Sequence, residues 1–162
     1  MTLTIEQGYA PGCIGRITEL HADFYGRLVG FGLPFEAKVA HGLVAFFEQY
    51  QARRDGIWLA VDGRKILGSI AIDGSRAEEE GAHLRWFIAS EETRGTRIGS
   101  RLIERAMEHC IAQGFRRVYL WTFEGLEVAR HLYERHGFRL VHQQAGDQWG
   151  KQVNEQRFEW KA

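Results

Sequence analysis

The chain has 162 residues, of which 44% are hydrophobic and 26% are charged, and its 21 basic residues balance its 21 acidic ones. This composition predicts one globular domain over residues 1–162 without a membrane span, and the zero net charge argues against nucleic acid or an anionic membrane as a partner. The two cysteines, Cys13 and Cys110, lie far apart in no metal-ligand spacing, so we expect no metal site and a cytoplasmic protein with reduced thiols.

The first half of the chain predicts a strand, two helices and a β-hairpin. A strand over TLTIEQGY is followed by a helix over APGCIGRITELHADFYGRLVG. The apolar residues of this helix recur at helical spacing, at Ile14, Ile17, Phe24 and Leu28. A second helix fits PFEAKVAHGLVAFFEQYQ, with a proline in its first turn. Asp62-Gly63 then separates GIWLAV from KILGSIAID, which favours a hairpin.

The second half alternates between strands and helices. A polar loop, SRAEEEGA, precedes the strand HLRWFIA, the helix IGSRLIERAMEHCIAQG and the strand RRVYLWT. A further helix is predicted from about Gly125 to Gly137, and its expected buried residues are Val128, Ala129, Leu132 and Tyr133. The strands FRLVHQQ and KQVNEQRFEW follow. The expected fold class is α/β, with a mixed, mostly antiparallel central sheet and flanking helices.

Arginine and glycine are concentrated where the helix after HLRWFIA begins. In the segment from Glu92 to Ser100, ETRGTRIGS, the start of the helix leaves backbone N–H groups unpaired, and its two glycines let a ligand approach them closely. Arg94 and Arg97 add positive charge at the positive end of the helix dipole. The segment therefore predicts an anion site, although a solvated basic helix start has the same pattern. It is neither a P-loop nor a GxGxxG motif.

Two motifs in this order resemble those of the GNAT superfamily of acetyl-CoA-dependent N-acetyltransferases. The loop from Arg94 to Gly99, RGTRIG, is similar to the family signature Arg/Gln-x-x-Gly-x-Gly/Ala, and LYERHGF, from Leu132 to Phe138, is similar to a downstream signature. HLRWFIA, RRVYLWTFEGLEVARHLYERHGFRL and PFEAKVA further resemble the acetyltransferase half of bacterial fusions to MarR-type regulators. The winged-helix half is not present in these residues, so a DNA-binding role is not carried over.

The resemblance implies acetyl-CoA as acyl donor and a particular place for it. Strand 84–89 is expected to run parallel to strand 118–122 and then splay from it, so that the pantetheine arm pairs with backbone between the two. The pyrophosphate is expected where the helix begins at Ile98. The residues implied for this cofactor are Phe87, Ile88, Ala89, Arg94, Gly95, Thr96, Arg97, Ile98, Gly99, Ser100, Thr122 and Tyr133.

Two positions depart from the family pattern. Arg97 replaces the middle glycine of the loop, and a left-handed backbone there costs an L-residue about 1–2 kcal/mol, so a different bend of the loop is expected. Leu126 replaces an asparagine that opens the helix of the signature tyrosine in many members. One polar contact to the cofactor is therefore not expected from that position.

The resemblance also implies a role for Tyr133, which is expected to donate a proton to the departing thiolate of coenzyme A. A phenol pKa near 10 against a thiol pKa near 8.5 makes this transfer uphill, so the placement of the hydroxyl matters more than its acidity. A core tyrosine is the alternative reading. An alkyl ammonium of pKa ~10.4 must lose a proton before it attacks, and the candidate bases are His21, Glu36 and His83.

Aromatic residues of the first two helices are candidate walls of an acceptor site. Tyr25 and Phe35 lie near the loop between these helices and are the expected substrate contacts, whereas Phe46 and Phe47 are assigned to the core. The predicted reaction is direct transfer of acetyl from acetyl-CoA to a primary amine of a small molecule or peptide. A non-catalytic acyl-CoA sensor is the alternative. A homodimer paired through KQVNEQRFEW is a further prediction.

Overall fold

Seven β-strands form one mixed sheet in the computed structural model, which describes residues 1–162. The strands are β1 (Thr4–Gln7), β2 (Gly56–Asp62), β3 (Lys65–Asp73), β4 (Ala82–Ala89), β5 (Arg117–Phe123), β6 (Arg139–Gly146) and β7 (Val153–Lys161). Their order across the sheet is β1-β2-β3-β4-β5-β7-β6. β4 and β5 are parallel, and every other neighbouring pair is antiparallel. The predicted α/β class with a mixed, mostly antiparallel sheet is confirmed.

Four α-helices cover the two faces of this sheet. They are α1 (Cys13–Val29), α2 (Leu33–Glu48), α3 (Ile98–Ala112) and α4 (Glu127–Arg135). Alternate residues of β2 belong to two different core clusters: Ile57 packs with α1 and α2, and Trp58 packs with α3 and α4. Because successive side chains of a strand point to opposite faces, the two helix pairs lie on opposite sides of the sheet. None of these helices has the length and hydropathy that crossing a bilayer requires.

The hairpin predicted at Asp62-Gly63 is present. β2 and β3 pair from Gly56↔Ile72 to Asp62↔Lys65, and Gly63 has a φ of 62°. A positive φ is required at the centre of such a short turn, and glycine adopts it without steric cost.

Two helices bury fewer residues than predicted. Leu28 is 52% exposed and Val128 is 80% exposed, although both fit the apolar spacing of their helices. α4 begins at Glu127, two residues later than predicted, so Val128 lies in its first turn, and Leu28 lies in the last turn of α1. Periodicity indicates which side of a helix faces the core, but not how far along the helix the sheet extends.

The strand β7 lies inside the sheet. It pairs with β5 from Arg117↔Lys161 to Phe123↔Glu155, and with β6 on its other side. Both of its backbone edges are therefore used within the chain, and the prediction that this segment pairs across a two-fold axis is wrong. β6 is the edge strand at this end of the sheet.

Candidate functional site

The parallel strands β4 and β5 pair only where they begin. Their register contains two pairs, Ala82↔Val118 and His83↔Tyr119. Beyond His83 the two strands separate, and the side of β4 that faces β5 has no strand partner from Leu84 to Ala89. This separation leaves backbone N–H and C=O groups available to an extended ligand.

A β-bulge in β4 accompanies the separation. The register with β3 moves from Ala71↔Arg85 to Ser69↔Ile88, so β4 contains one residue more than β3 over this stretch. Trp86 has a φ of 50°, in the left-handed region, and the buried Ser69 hydroxyl donates to its carbonyl at 2.6 Å. An extra residue bends the bulged strand and increases its twist, which directs the rest of β4 away from β5.

The first turn of α3 carries several unpaired N–H groups. The first helical bond runs from the Arg101 N–H to the Arg97 carbonyl at 3.1 Å. The N–H groups without an acceptor in the chain belong to Gly95, Arg97, Ile98, Gly99 and Ser100. An anion at this end of the helix meets both these donors and the helix dipole.

Arg97 adopts the left-handed conformation, with φ 60° and ψ 21°, immediately before α3. An arginine therefore sustains a backbone geometry that glycine adopts more easily, in place of the different bend that we expected at this position. Arg94 and Arg97 are both exposed and have no carboxylate within 4 Å. Their charges are thus available to an anion at the start of the helix.

The start of α3 lies beside the open stretch of β4. A Cβ atom on Gly99 would be 3.4 Å from the Phe87 ring and 3.3 Å from Leu132. The absence of a side chain at Gly99 allows this close packing. The Phe87 ring is in turn 5.9 Å from the Tyr133 ring, measured between centroids. The Phe87 ring therefore lies between the start of α3, with its unpaired N–H groups, and Tyr133.

A cavity of about 160 Å³ occupies the space between β4 and β5. The elements α1, α2, β4, β5 and α4 and the loop between β6 and β7 all contribute to its walls. Half of its 18 lining residues are aromatic, and none is Asp or Glu. The lining residues are His21, Tyr25, Phe31, Phe35, Lys38, Val39, His83, Leu84, Arg85, Trp86, Phe87, Leu120, Trp121, Thr122, Phe123, Tyr133, Gln148 and Trp149.

Tyr133 is 6% exposed and lies at the α4 side of this cavity. Its hydroxyl makes no hydrogen bond within the chain. Burial, with a smaller contribution from Tyr25, raises the pKa of the Tyr133 phenol well above its ordinary value. The phenol is therefore protonated at neutral pH and can donate a hydrogen bond or a proton into the cavity.

Two histidines line the cavity in the neutral form. Burial lowers the pKa of His21 to about 4, and the Ile17 carbonyl accepts a bond from its Nδ1 at 2.8 Å. Because a carbonyl only accepts, Nδ1 carries the proton and Nε2 has the free lone pair. Burial, followed by the charges of Arg85 and Arg157, lowers the pKa of His83 to about 3. Each ring can accept a proton only transiently at neutral pH.

The structure brings most of the predicted site residues together. His21, His83, Tyr25, Phe35, Phe87, Thr122 and Tyr133 line the cavity. Ile88 and Ala89 continue the open stretch of β4, and residues 94–100 form the loop before α3 and the beginning of its first turn. Glu36 is exposed in the first turn of α2 and does not line the cavity.

Several lining residues were not among the predicted ones. Trp86 and Trp121 lie on the two central strands, and both contact the cavity because these strands diverge there. No local sequence motif marks Lys38, Gln148 or Trp149 as residues of a cavity wall. The Lys38 ammonium donates to the Gln148 carbonyl at 2.9 Å across 110 positions of sequence, and no pattern within a short window indicates such a contact.

Comparison with known protein families identifies the family and the fold. The model of the acetyltransferase (GNAT) family matches residues 14–138, which include the start of α3 and Tyr133. The chain therefore belongs to the acetyltransferase (GNAT) family, and the expected GNAT fold and acyltransferase class are confirmed.

Individual relatives agree with this assignment. An acetyltransferase from Streptococcus agalactiae has a TM-score of 0.78 at 21% identity, with 99% of this chain and 98% of that one covered. The protein yncA from Salmonella typhimurium, solved with its cofactor acetyl-CoA, has a TM-score of 0.76 at 14% identity, with 99% and 94% covered. At these identities the two structures show the fold alone.

A curated relative is the probable N-acetyltransferase camello of Xenopus tropicalis. It is 28% identical over 95 residues, which are 53% of this chain and 43% of camello. The chain thus matches less than half the length of that relative.

Proposed function

We propose that this protein transfers an acetyl group from acetyl-CoA to a primary amine in a ternary complex. The observation that carries the proposal is the continuity of three features: the partner-free backbone of β4, the unpaired N–H groups at the start of α3, and the Tyr133 hydroxyl in the cavity between them. A long ligand with amides in its middle and phosphates at one end fits this arrangement.

The chain's own groups would hold the donor at two places. The backbone of Phe87, Ile88 and Ala89 is available to pair with the amides of pantetheine in the manner of an added strand. The N–H groups of residues 95 and 97–100, with the charges of Arg94 and Arg97, would bind the pyrophosphate. Thr122 faces the same cavity from β5. The thioester then lies near Tyr133.

The reaction forms a C–N bond as the C–S bond breaks. The amine, already deprotonated from its ammonium form, attacks the thioester carbonyl and loses one further proton, and the sulfur leaves as a thiolate that accepts a proton from the Tyr133 hydroxyl. Water then returns a proton to the Tyr133 phenolate. The amine proton passes to the Nε2 lone pair of His21 or to water, and from there to solvent. Because the pKa of His21 is about 4, His21 relays this proton and does not retain it. Holding both reactants in one cavity supplies the advantage of proximity.

Glu36 is not included in the proposed site, since it does not line the cavity. His83 is a weaker candidate than His21, because its ring stacks on Tyr119 at 4.4 Å between centroids and lies near two arginines. Tyr25 and Phe35 remain the proposed acceptor contacts, with ring centroids 5.3 Å apart.

Two measurements test the proposal. Calorimetry with coenzyme A tests binding, and thiol release from acetyl-CoA with a panel of amines tests turnover. Reversing both charges, with Arg94→Glu and Arg97→Glu, is expected to weaken coenzyme A binding about 10-fold or more, because charge-assisted contacts to phosphate are lost. Arg116→Glu changes an exposed arginine outside this site and serves as the control.

The outcomes separate the two functional readings. Binding together with amine-stimulated thiol release supports the transferase. Binding without release for any amine supports the acyl-CoA sensor, which the low pKa values of both cavity histidines favour. No binding at millimolar coenzyme A, with no effect of the two arginine variants, contradicts both.

We further propose that residues 1–162 form one domain that acts in the cytoplasm, where its two buried free cysteines stay reduced. The closer resemblance to the acetyltransferase half of MarR-type fusions stays a prediction, and so does a homodimer. Since β7 is enclosed by β5 and β6, the strand edge available to a second copy at that end of the sheet is β6.

A further inference from the structure

The charge of the cavity wall restricts which amines fit it. No carboxylate is among its lining residues, which instead include the two cations Lys38 and Arg85. The two lining histidines are neutral at pH 7. An acceptor with several ammonium groups would therefore bring positive charge to a wall that has no carboxylate and already carries two cations, which is unfavourable. This wall is unsuited to a polyamine or a lysine-rich peptide.

The two cations differ in how far their charge is engaged. The Arg85 guanidinium lies 3.6 Å from the Asp73 carboxylate and 4.1 Å from the centroid of the Trp86 ring. Lys38 is exposed, has no carboxylate within 4 Å, and makes one hydrogen bond through its ammonium, to the Gln148 carbonyl at 2.9 Å. An ammonium has three donors, so two remain available to solvent or to a ligand. Lys38 is thus the lining residue best placed to bind an anionic group.

The loop that carries Gln148 is held firmly, which fixes the position of Lys38. The Gln148 N–H and side-chain amide both donate to the Glu155 carboxylate at 2.9 Å. The Lys151 ammonium donates to the Val29 carbonyl at 2.6 Å. These bonds join the β6–β7 loop to β7 and to the end of α1, so the Lys38 ammonium is positioned between two anchored elements.

The wall beside Lys38 is an assembly of aromatic rings. Phe31 packs against Phe35, Phe123 and Trp149 at centroid distances of 4.9, 5.5 and 6.3 Å. Tyr25 adds a ring 5.8 Å from Phe123. These rings line the cavity, and aromatic pairs favour edge-on or offset-stacked contacts, so an aromatic ligand suits this wall.

We infer that the acceptor is a small aromatic primary amine that carries a carboxylate, with its ring against the Phe31 cluster and its carboxylate on Lys38. This inference rests on the proposed function and assigns Lys38 as the residue that determines specificity. The carboxylate also supplies the negative charge that the cavity wall lacks.

The test uses matched amines in the thiol-release assay with acetyl-CoA. Phenylalanine carries both features, phenethylamine lacks the carboxylate, leucine lacks the ring, and spermidine is a polycation. Phenylalanine is expected to exceed each of the others about 10-fold or more in kcat/KM, as the loss of a charge-assisted bond predicts. An equal or higher value for spermidine or for phenethylamine overturns the inference.

Variants of Lys38 separate charge recognition from loop anchoring. Lys38→Gln keeps a donor for the Gln148 carbonyl but removes the charge, and it is expected to bring the phenylalanine to phenethylamine ratio close to one. Lys38→Arg is expected to retain the ratio. Lys161→Met, at an exposed position of β7, is the control. A ratio unchanged in Lys38→Gln contradicts the assignment of Lys38.

Failure of the inference is distinct from failure of the proposed function. If amines outside the aromatic acid class are acetylated faster, the inference is wrong and the transferase stands. If no amine stimulates thiol release, the proposed function is wrong, and the inference falls with it.

Discussion

The strand β5 has two neighbours, and its two pairings differ in extent. Toward β7 it is paired from Arg117 to Phe123, whereas toward β4 it is paired only at Val118 and Tyr119. The fully paired side secures the core, and the open side borders the cavity that contains Tyr133. One strand therefore serves stability on one side and ligand access on the other. Changes on the paired side should act mainly on stability, whereas changes on the open side should also alter turnover, cofactor binding or the pH dependence of stability.

The largest effect is expected on the paired side, from Phe158→Ala in β7. Phe158 is fully buried and lies opposite Leu120. Its truncation leaves a cavity in the core and should lower the free energy of unfolding by about 3–5 kcal/mol, measured by denaturant titration. Lys161→Ala on the same strand should change it by less than about 0.5 kcal/mol. If Phe158→Ala lowers the free energy of unfolding by less than about 1 kcal/mol, the paired side of β5 does not contribute the main stabilising contacts of the core.

A pH effect of about 3 kcal/mol is expected from His21 on the open side. The folded pKa of about 4 lies below the ordinary value of 6.5, so the unfolded chain takes up the proton first as the pH falls. This stability is present above pH 6.5 and is lost progressively down to pH 4. His21→Leu should therefore flatten the fall in unfolding free energy between pH 7 and 4.5.

The same denaturant titrations on His41→Leu provide the control for His21, because His41 is exposed on α2. An equally steep pH dependence in His21→Leu and in the unaltered protein would contradict the burial of a neutral His21.

Tyr133→Phe should lower kcat about 100-fold or more, since it removes the proposed proton donor to the leaving thiolate. The affinity for coenzyme A should change little, and so should stability, because this hydroxyl bonds to no group of the chain. Steady-state kinetics and calorimetry on the same preparation separate these effects. Tyr9→Phe alters an exposed tyrosine and is the matched control. Unaltered turnover would remove the catalytic role of Tyr133.

Ser69→Ala tests whether the bulge at Trp86 maintains the separation between β4 and β5. It removes the donor to the Trp86 carbonyl at the bulge and leaves a buried acceptor, which should cost about 1–3 kcal/mol of stability. Coenzyme A should also bind more weakly, because the bulge directs β4 away from β5. Ser75→Ala, at an exposed hydroxyl, is the control. A loss of stability with an unchanged affinity for coenzyme A would show that the bulge does not influence coenzyme A binding.

The smallest effect is expected from Arg97→Gly. Glycine relieves the left-handed backbone at this position, which should raise the unfolding free energy by about 1 kcal/mol. Arg94→Gly is the control, because Arg94 has a φ of −54° and glycine gains nothing there. If both variants lose stability equally, the backbone at Arg97 is not strained.

The predictable parts of the site are those that a short window contains. The arginine and glycine residues from Arg94 to Gly99 predicted an anion site at the start of α3, and LYERHGF predicted the role of Tyr133. The bulge at Trp86 had no such signal, because an aromatic residue ordinarily favours an extended strand. The prediction that β7 pairs with a second copy of the chain was wrong, since the sequence of this strand does not indicate that β5 and β6 lie on either side of it.

The helices and strands, the hairpin at Asp62-Gly63 and the start of α3 could be predicted locally, because they depend on the conformational preferences of adjacent residues. The strand order, the divergence of β4 from β5 and the walls of the cavity become visible only in the folded chain. Those features depend on contacts such as that of Lys38 with Gln148, between residues that the chain brings together only when it folds.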